Sequence, residues 1–305
     1  MSSLSRFIRS LRGRSQWHST RLRGAEAAVK YAARCLRAWK PHGRWLAFLD
    51  ETPGMAGVVA VDPTLVERYQ HRFISRSLRT RRRLAILSDH YAFAAQHFPR
   101  ELFDAIYLRR TVDIGAIALR DGGALRIVLK APALRGREGE LSIYLFDENG
   151  LQLSFATVTI ADDGSTLLIG CIQGAAAGAG REVIRDLTKQ CHGLRPKNLL
   201  LSLIYALAEG FGIKRIRAVG NAVHPFAGIA NKIKADYDGF WSENDGILSD
   251  DGLFDLPPSE PVRSELDVES KHRSAFRKRE ALRRQACTVV AMAFQHAVRD
   301  ISMAA

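Results

Sequence analysis

Cysteine is scarce and scattered. The chain has four, Cys35, Cys171, Cys191 and Cys287, and no two of them form a C-x-x-C pair. This excludes a disulfide frame and a cysteine zinc site, and it fits buried or free thiols in a reducing compartment. Long apolar runs are missing as well. No stretch approaches the roughly 18 to 20 uninterrupted apolar residues of a spanning helix, and no apolar block with a small-residue cleavage site stands at the start. A cytoplasmic location is therefore expected. A P-loop, an H-E-x-x-H pair, a Ser-His-Asp order and an internal repeat are all absent, and the small-residue loop "QGAAAGAG" lacks the strand and Lys-Thr context of a nucleotide loop. No metal is expected.

Acidic residues are sparse at both ends, where cations gather. The net charge is +13: residues 1–50 hold 11 Lys/Arg against two acids, "RSLRTRRR" at 76–83 holds five arginines, and "KHRSAFRKREALRR" at 271–284 holds seven Lys/Arg against one Glu. Within "AEAAVKYAARCLRAW" the apolar residues Ala25, Ala28, Val29, Ala32, Leu36 and Trp39 recur at three- and four-residue steps, with Lys30, Arg34 and Arg37 on the other side. That spacing predicts an amphipathic helix with a cationic face. Such a face suits plain solvent or an anionic membrane surface. Nucleic acid fits less well, because the basic runs lack interleaved aromatics and any helix-turn-helix or RNA-binding signature, so no specific nucleic acid is expected.

With 47% hydrophobic residues the chain can bury a full core. From about 20 to 110 the pattern is helical, broken at Pro41, Pro53 and Pro63, with a helix pair split at Pro99. The period then changes to that of strands. "DIGAIAL", "LRIVLKA", "LSIYLFD", "LQLSFATVTI" and "TLLIGCI", separated by "RDGG", "DENG" and "ADDG", read as a five-stranded antiparallel meander. A polar helix "REVIRDLTKQ", an apolar helix over about 196–210, the strand "IKRIRAV" and a closing helix over roughly 265–300 follow. The fold class is α+β: a mostly antiparallel central sheet flanked by N- and C-terminal helices. The expected organisation is a basic helical region at 1–110, a core at 111–256, and a linker with a basic helix packing on the core at 257–305.

The piece "HGLRPKN" at 192–198 sets the main question of chemistry. Arg195 and Lys197 stand at a helix start, where unpaired N–H groups and the dipole already supply positive charge, so each added cation costs roughly 0.3–1 kcal/mol unless an anion is present. With Lys189 nearby, Pro196 fit for the first helical position and Gly193 letting backbone come close, Gly193, Arg195, Lys197 and Asn198 are candidates for holding a phosphate or carboxylate. A solvent-screened turn and a salt bridge to an acid such as Asp186 are the competing readings. Gln173, ending "IQG", is a candidate oxyanion donor or a plain strand exit. His224, just beyond the last central strand, is a general-base candidate or a structural histidine. Tyr237, in a tight turn with Asp238 and Trp241, is a candidate proton donor to a leaving thiolate or part of a packed turn.

"LLIGCIQG", "LTKQCHGLRPKNLLL" and "YDGFW", in this order and spacing, resemble the VirK/YbjX family, also called the domain of unknown function 535 family, over roughly 70–300. The resemblance implies association with the bacterial cell envelope and virulence, and no particular reaction. The central order of meander, apolar helix and strand is similar to the Gcn5-related N-acetyltransferase fold, in which that helix start holds the pyrophosphate of coenzyme A. Here "QGAAAGAG" and an extra helix come first, and "HGLRPKN" takes the later position. The combined expectation is an acyl- or aminoacyl-type transferase at the inner membrane face, with acyl-coenzyme A as a candidate donor and an envelope-linked acceptor. The alternative is a non-catalytic module that binds an anionic lipid or glycolipid headgroup.

Overall fold

The computed structural model describes residues 2–12, 14, 21–132, 136–175, 181–229, 235–261 and 264–302; residues 176–180 of the small-residue loop lie outside these. Six helices come first: α1 (Ser3–Ser10), α2 (Arg21–Arg37), α3 (Trp39–Glu51), α4 (Met55–Val61), α5 (Thr80–His97) and α6 (Arg100–Tyr107). The break at Pro99 is where the sequence places it, since proline cannot continue α5 but suits the residue before α6. Pro41 is not a break. It sits in the first turn of α3, where its missing N–H leaves no intrahelical bond unmade.

The meander follows as β1 (Thr111–Ala118), β2 (Ala124–Lys130), β3 (Leu141–Phe146), β4 (Gln152–Ala161) and β5 (Thr166–Gln173), each antiparallel to the next. The sheet is wider than the expected five. After α7 (Arg181–Gln190) and α8 (Pro196–Gly210), strand β6 (Arg215–Val219) joins β5 in parallel, and α9 (Tyr237–Ser242), β7 (Ile247–Leu248) and β8 (Leu253–Leu256) complete the order β1-β2-β3-β4-β5-β6-β8-β7. The extra edge is short and was hidden in a turn-rich stretch: "GLFDLP" pairs through Leu253–Leu256 with β6. The chain is thus α+β with a mostly antiparallel eight-stranded sheet and flanking helices.

The helix α8 is apolar on nearly every side because it is enclosed on nearly every side. It packs on β3, β4 and β5 and is covered by the long α10 (Ser270–Ser302). From the other end of the chain, α5 also packs on β4, whose residues after Gln152 are all buried. One hydrophobic cluster runs from Tyr31 through the sheet to Phe294, so all three sequence regions share a core.

Helix α2 packs with a different phase from the expected one. Tyr31 and Cys35 are buried, while Val29 and Leu36 stand 68% and 67% exposed. Polar bonds set this phase. The Tyr31 hydroxyl lies 2.9 Å from His42 Nε2 and 2.6 Å from Ser10 Oγ, and Tyr69 holds His42 Nδ1 at 2.9 Å, so the face carrying Tyr31 must turn inward.

A second buried histidine ties α5 to the sheet. The backbone N–H of Ile160 donates to His90 Nδ1 at 3.2 Å, so the ring is neutral with its proton on Nε2, 2.7 Å from the Tyr107 hydroxyl. Burial lowers both rings, His42 to about 4 and His90 to about 3. Unfolding therefore takes up protons below the ordinary value near 6.5, and the stability of the neutral rings is lost as pH falls. Between about pH 7 and about pH 5 each ring should remove about 2 kcal/mol. Urea unfolding at both pH values measures the loss, and a His42→Gln variant should lose less across the interval. Equal losses in the two proteins would place the pH response elsewhere.

Candidate functional site

Strands β5 and β6 pair only from Thr166↔Arg215 to Ile169↔Ala218, after which β5 runs on to Gln173 with β4 on one side and no β6 on the other. The space where they part is filled by the segment before β3. A Cβ built on Gly170 would meet the Glu138 carbonyl oxygen at 1.7 Å, so only glycine lets this segment lie against β5. Glu138 is thereby held in the interior, 2% exposed. Its Oε1 is 3.2 Å from His224 Nε2 and accepts a hydrogen bond from Gln173 Nε2 at 3.1 Å, while its Oε2 is buried without a hydrogen-bond partner among the described residues.

His224 lies in the loop after β6 and is 1% exposed. The Phe226 N–H donates to its Nδ1 at 3.3 Å, which leaves the proton of a neutral ring on Nε2, facing Glu138. Tyr237 stacks on the imidazole with ring centroids 5.2 Å apart, and its hydroxyl interacts with the Gln173 side chain and the Ile172 backbone. Burial raises the Tyr237 phenol above its ordinary range, so at neutral pH it is a hydrogen-bonding hydroxyl rather than a ready proton source for a leaving thiolate. The thiol of Cys171 sits against Thr157 and Glu138 and is raised by burial and by that carboxylate, which keeps it protonated.

The loop is latched to α9 from both directions. Asn221 N–H donates to Asp238 at 2.7 Å, Tyr237 N–H donates to Asn221 Oδ1 at 2.9 Å, and the Trp241 indole donates to the Val219 carbonyl at 2.8 Å. A strained strap closes the other side. Ile74, a β-branched residue at φ 57°, donates its N–H to Arg137 O at 2.8 Å, and Arg76 N–H reaches Val223 O at 2.7 Å. These acceptors directly precede Glu138 and His224.

The quoted helix start lies beside this cluster, on an open cleft of about 390 Å³ lined by Gly174, Lys197, Asp236 and Phe240 among others. Arg195 is the N-cap of α8 and makes no capping bond; its guanidinium pairs with Glu243 at 2.6 Å and donates to Asn198 Oδ1 at 3.0 Å. Asn198 is further occupied by Asn244 at 3.2 Å. Lys197 has no carboxylate within 4 Å among the described residues; its ammonium lies 5.6 Å from the Phe240 ring centroid, and burial first, then Arg195, lowers its pKa. Lys189 pairs with Asp186 at 3.2 Å. Gly193, at φ +87°, has open space where a Cβ would be and donates to Thr188 O at 2.8 Å. It follows His192, the left-handed residue at φ 54° that ends α7, and its own positive φ favours glycine.

Sequence reasoning thus named three members of one buried cluster, Gln173, His224 and Tyr237, which the fold brings together from three segments. It missed Glu138, which stands in "GREGE" between the second and third strands. The only signal was an acid bracketed by glycines.

A family model described as a protein of unknown function, DUF535, matches residues 20–291. The chain belongs to this family. It is 25% identical over 290 residues to the uncharacterized protein YbjX of Escherichia coli K12, covering 92% of this chain and 86% of that one. A Haemophilus influenzae Rd protein is 32% identical over 127 residues, 41% of this chain and 42% of its own. A Mannheimia haemolytica protein named membrane protein LapB is 25% identical over 190 residues, 60% of this chain and 80% of that one. No helix among the described residues is long and apolar enough to cross a membrane, and no group of His, Cys, Asp and Glu there could hold a metal.

The packing at Gly170 makes a direct test. Gly170→Ala should cost about 3 kcal/mol or more, because the added methyl must displace the backbone that carries Glu138. Gly174→Ala, where a Cβ meets nothing within 4 Å, should stay within about 0.5 kcal/mol of the parent. Urea unfolding of both compares them, and similar costs would mean Glu138 is not seated on β5.

Proposed function

We propose that this protein is an envelope-associated transferase of acyl or aminoacyl type, which holds a phosphate-bearing donor at the start of α8 and acts on an acceptor at the inner membrane face. The observation that carries the reading is the convergence of Glu138, Gln173, His224 and Tyr237 beside the cleft of Lys197. Two parallel strands that part next to a crossing helix also mark the place where α/β sheets bind ligands. Acyl-coenzyme A fits such a donor by charge and by likeness to the acetyltransferase fold. The name of the Mannheimia relative, membrane protein LapB, supports a membrane-associated setting.

The geometry redistributes the roles. His224 Nδ1 is taken by the Phe226 N–H and its Nε2 lies 3.2 Å from Glu138 Oε1 without a formed hydrogen bond, so the open lone pairs on the carboxylate belong to Glu138 Oε2. In the proposed step, an acceptor amine or hydroxyl attacks the donor's acyl carbon, and its proton passes to Glu138 while the donor's leaving group departs with the bonding electrons. His224 and Gln173 hold the other carboxylate oxygen. Gln173, half-buried and followed by the cleft-lining Gly174, connects the cluster to the donor's site.

The closure of the cluster favours a second reading, in which the cleft alone binds an anionic lipid or glycolipid headgroup without chemistry. Thermal unfolding of the parent and of an Arg195→Gln, Lys197→Gln double variant, with coenzyme A, acyl-coenzyme A, nucleotides and anionic headgroups, separates the cases. At least one compound should stabilise the parent and fail on the variant, since each lost charge-assisted bond costs about 1.5–3 kcal/mol of binding. If no compound shifts the parent, the cleft holds no donor. Where acyl transfer is detected with the stabilising donor, Glu138→Gln should lower turnover by roughly 10²–10⁴ at an unchanged melting temperature. Full turnover in that variant leaves only the binding reading.

A further inference from the structure

The basic stretches differ in what their cations do. In the C-terminal run, Lys271 pairs with Glu269, Arg277 with Glu265 and Arg283 with Glu260. In "RSLRTRRR", Arg82 pairs with Asp162, and Arg83 donates to the carbonyls of Leu78 and His71. Near the N-terminus Arg6 and Arg9 bind Asp50, Arg14 binds Glu67, and Lys30 binds Glu26. One groove gathers several cations without such partners. Where α2 turns into α3, a groove of about 770 Å³ runs against the start of α5, lined by Arg34, Arg37, Lys40 and Arg81 with Leu36 and Trp39. None of these four cations has a carboxylate within 4 Å among the described residues, and no acid lines the groove.

Two further features suit the groove to a phosphate. Helices α3 and α5 both begin there, and neither start has a side-chain cap or an acid in its first turn. Cations at uncapped helix starts repel one another and the dipole, so the groove's electrostatics are relieved only by an outside anion. The rim adds apolar surface of a specific kind. Leu36 and Val29, two turns apart on α2, are among the most exposed large hydrophobics of the protein, and the half-buried Trp39 stands beside them. A polyanion in water has no use for exposed leucine and valine, whereas a bilayer takes both the charge and the apolar side chains.

We infer that this groove is a docking site for the phosphate headgroups of an anionic bilayer, with Leu36 and Val29 entering the acyl boundary. The site is distinct from the α8 cleft and does not rest on the transferase reading. It also relocates membrane contact from the Lys30 face of α2, where Lys30 is occupied by Glu26, to the corner between α2, α3 and α5.

Cosedimentation of the full chain with vesicles of phosphatidylglycerol in phosphatidylcholine, against phosphatidylcholine alone, tests this. The parent should bind the anionic vesicles, and Lys40→Gln with Arg81→Gln should weaken binding about 30-fold, the worth of two headgroup-facing cations. Leu36→Ser should weaken the same binding with no change in charge. A control removing the exposed Lys278 and Arg284 of α10, which have no carboxylate within 4 Å among the described residues, changes net charge equally and should leave binding unaltered. Unfolding curves verify that the groove variants are folded. The inference is overturned if the control weakens binding as much as the groove variant, if neither groove variant has an effect, or if soluble glycerol phosphate or RNA competes the vesicles off.

Discussion

Much of this structure depends on how five residues, Gly136 to Glu140, cross between the helical layer and the sheet. The segment carries two acids two positions apart, which a regular strand would place on one face; with Gly136 and Gly139 at φ +67° and +140° the backbone is irregular here, and the two acids reach different partners. Glu140 enters the N-terminal layer, where it is fully buried, paired with Arg68 and bonded by the Tyr91 hydroxyl at 2.6 Å. Arg68 is also held by Asp62 at 2.6 Å. Glu138 enters the gap between β5 and β6. Breaking the buried Arg68–Glu140 pair strands the other charge at a cost of about 3–5 kcal/mol, so the segment cannot leave the helical side without loss.

This explains why the cluster around Glu138 is both polar and closed. Its acid is placed by the backbone, through the contact at Gly170 and the bond from Ile74, before any side chain takes part. His224 is placed in the same way, through Arg76 N–H on the preceding carbonyl and through the latch between Asn221 and α9. Two segments about 85 residues apart in the chain are thus bridged by one strap whose first residue, Ile74, has an unfavourable φ. Strain of that kind persists where surrounding contacts over-determine it, and here they converge on one carboxylate with an unused oxygen.

The meander, the α8 boundaries and the α5–α6 break were legible because each rests on local rules: alternation, proline at a first turn, turn clusters between strands. So were Gln173, His224 and Tyr237, as polar residues at strand ends and loops. Three things were not legible. The phase of α2 is set by hydroxyl-to-imidazole bonds from Tyr31, which an aliphatic pattern does not count. The β8 edge is too short to show a period. Glu138 owes its burial to a glycine over 30 residues later in the chain, a contact that no local spacing encodes.

The two cations that begin α8 have different standing. Arg195 is exposed and has an acid partner in Glu243; an exposed pair is worth about 0–1 kcal/mol, close to the 0.3–1 kcal/mol that a cation costs at a helix start. Within the protein it is roughly self-compensating. Lys197 is half-buried, loses solvation there, and has Phe240 in place of a carboxylate. A ring face returns about 0.5–2 kcal/mol, and the nearest acids, Asp236 and Glu243, act on it only through space and from beyond ion-pair distance. The fold therefore holds Lys197 at the cleft without neutralising it. Of the two cations in "HGLRPKN", it is the one with no carboxylate within 4 Å among the described residues.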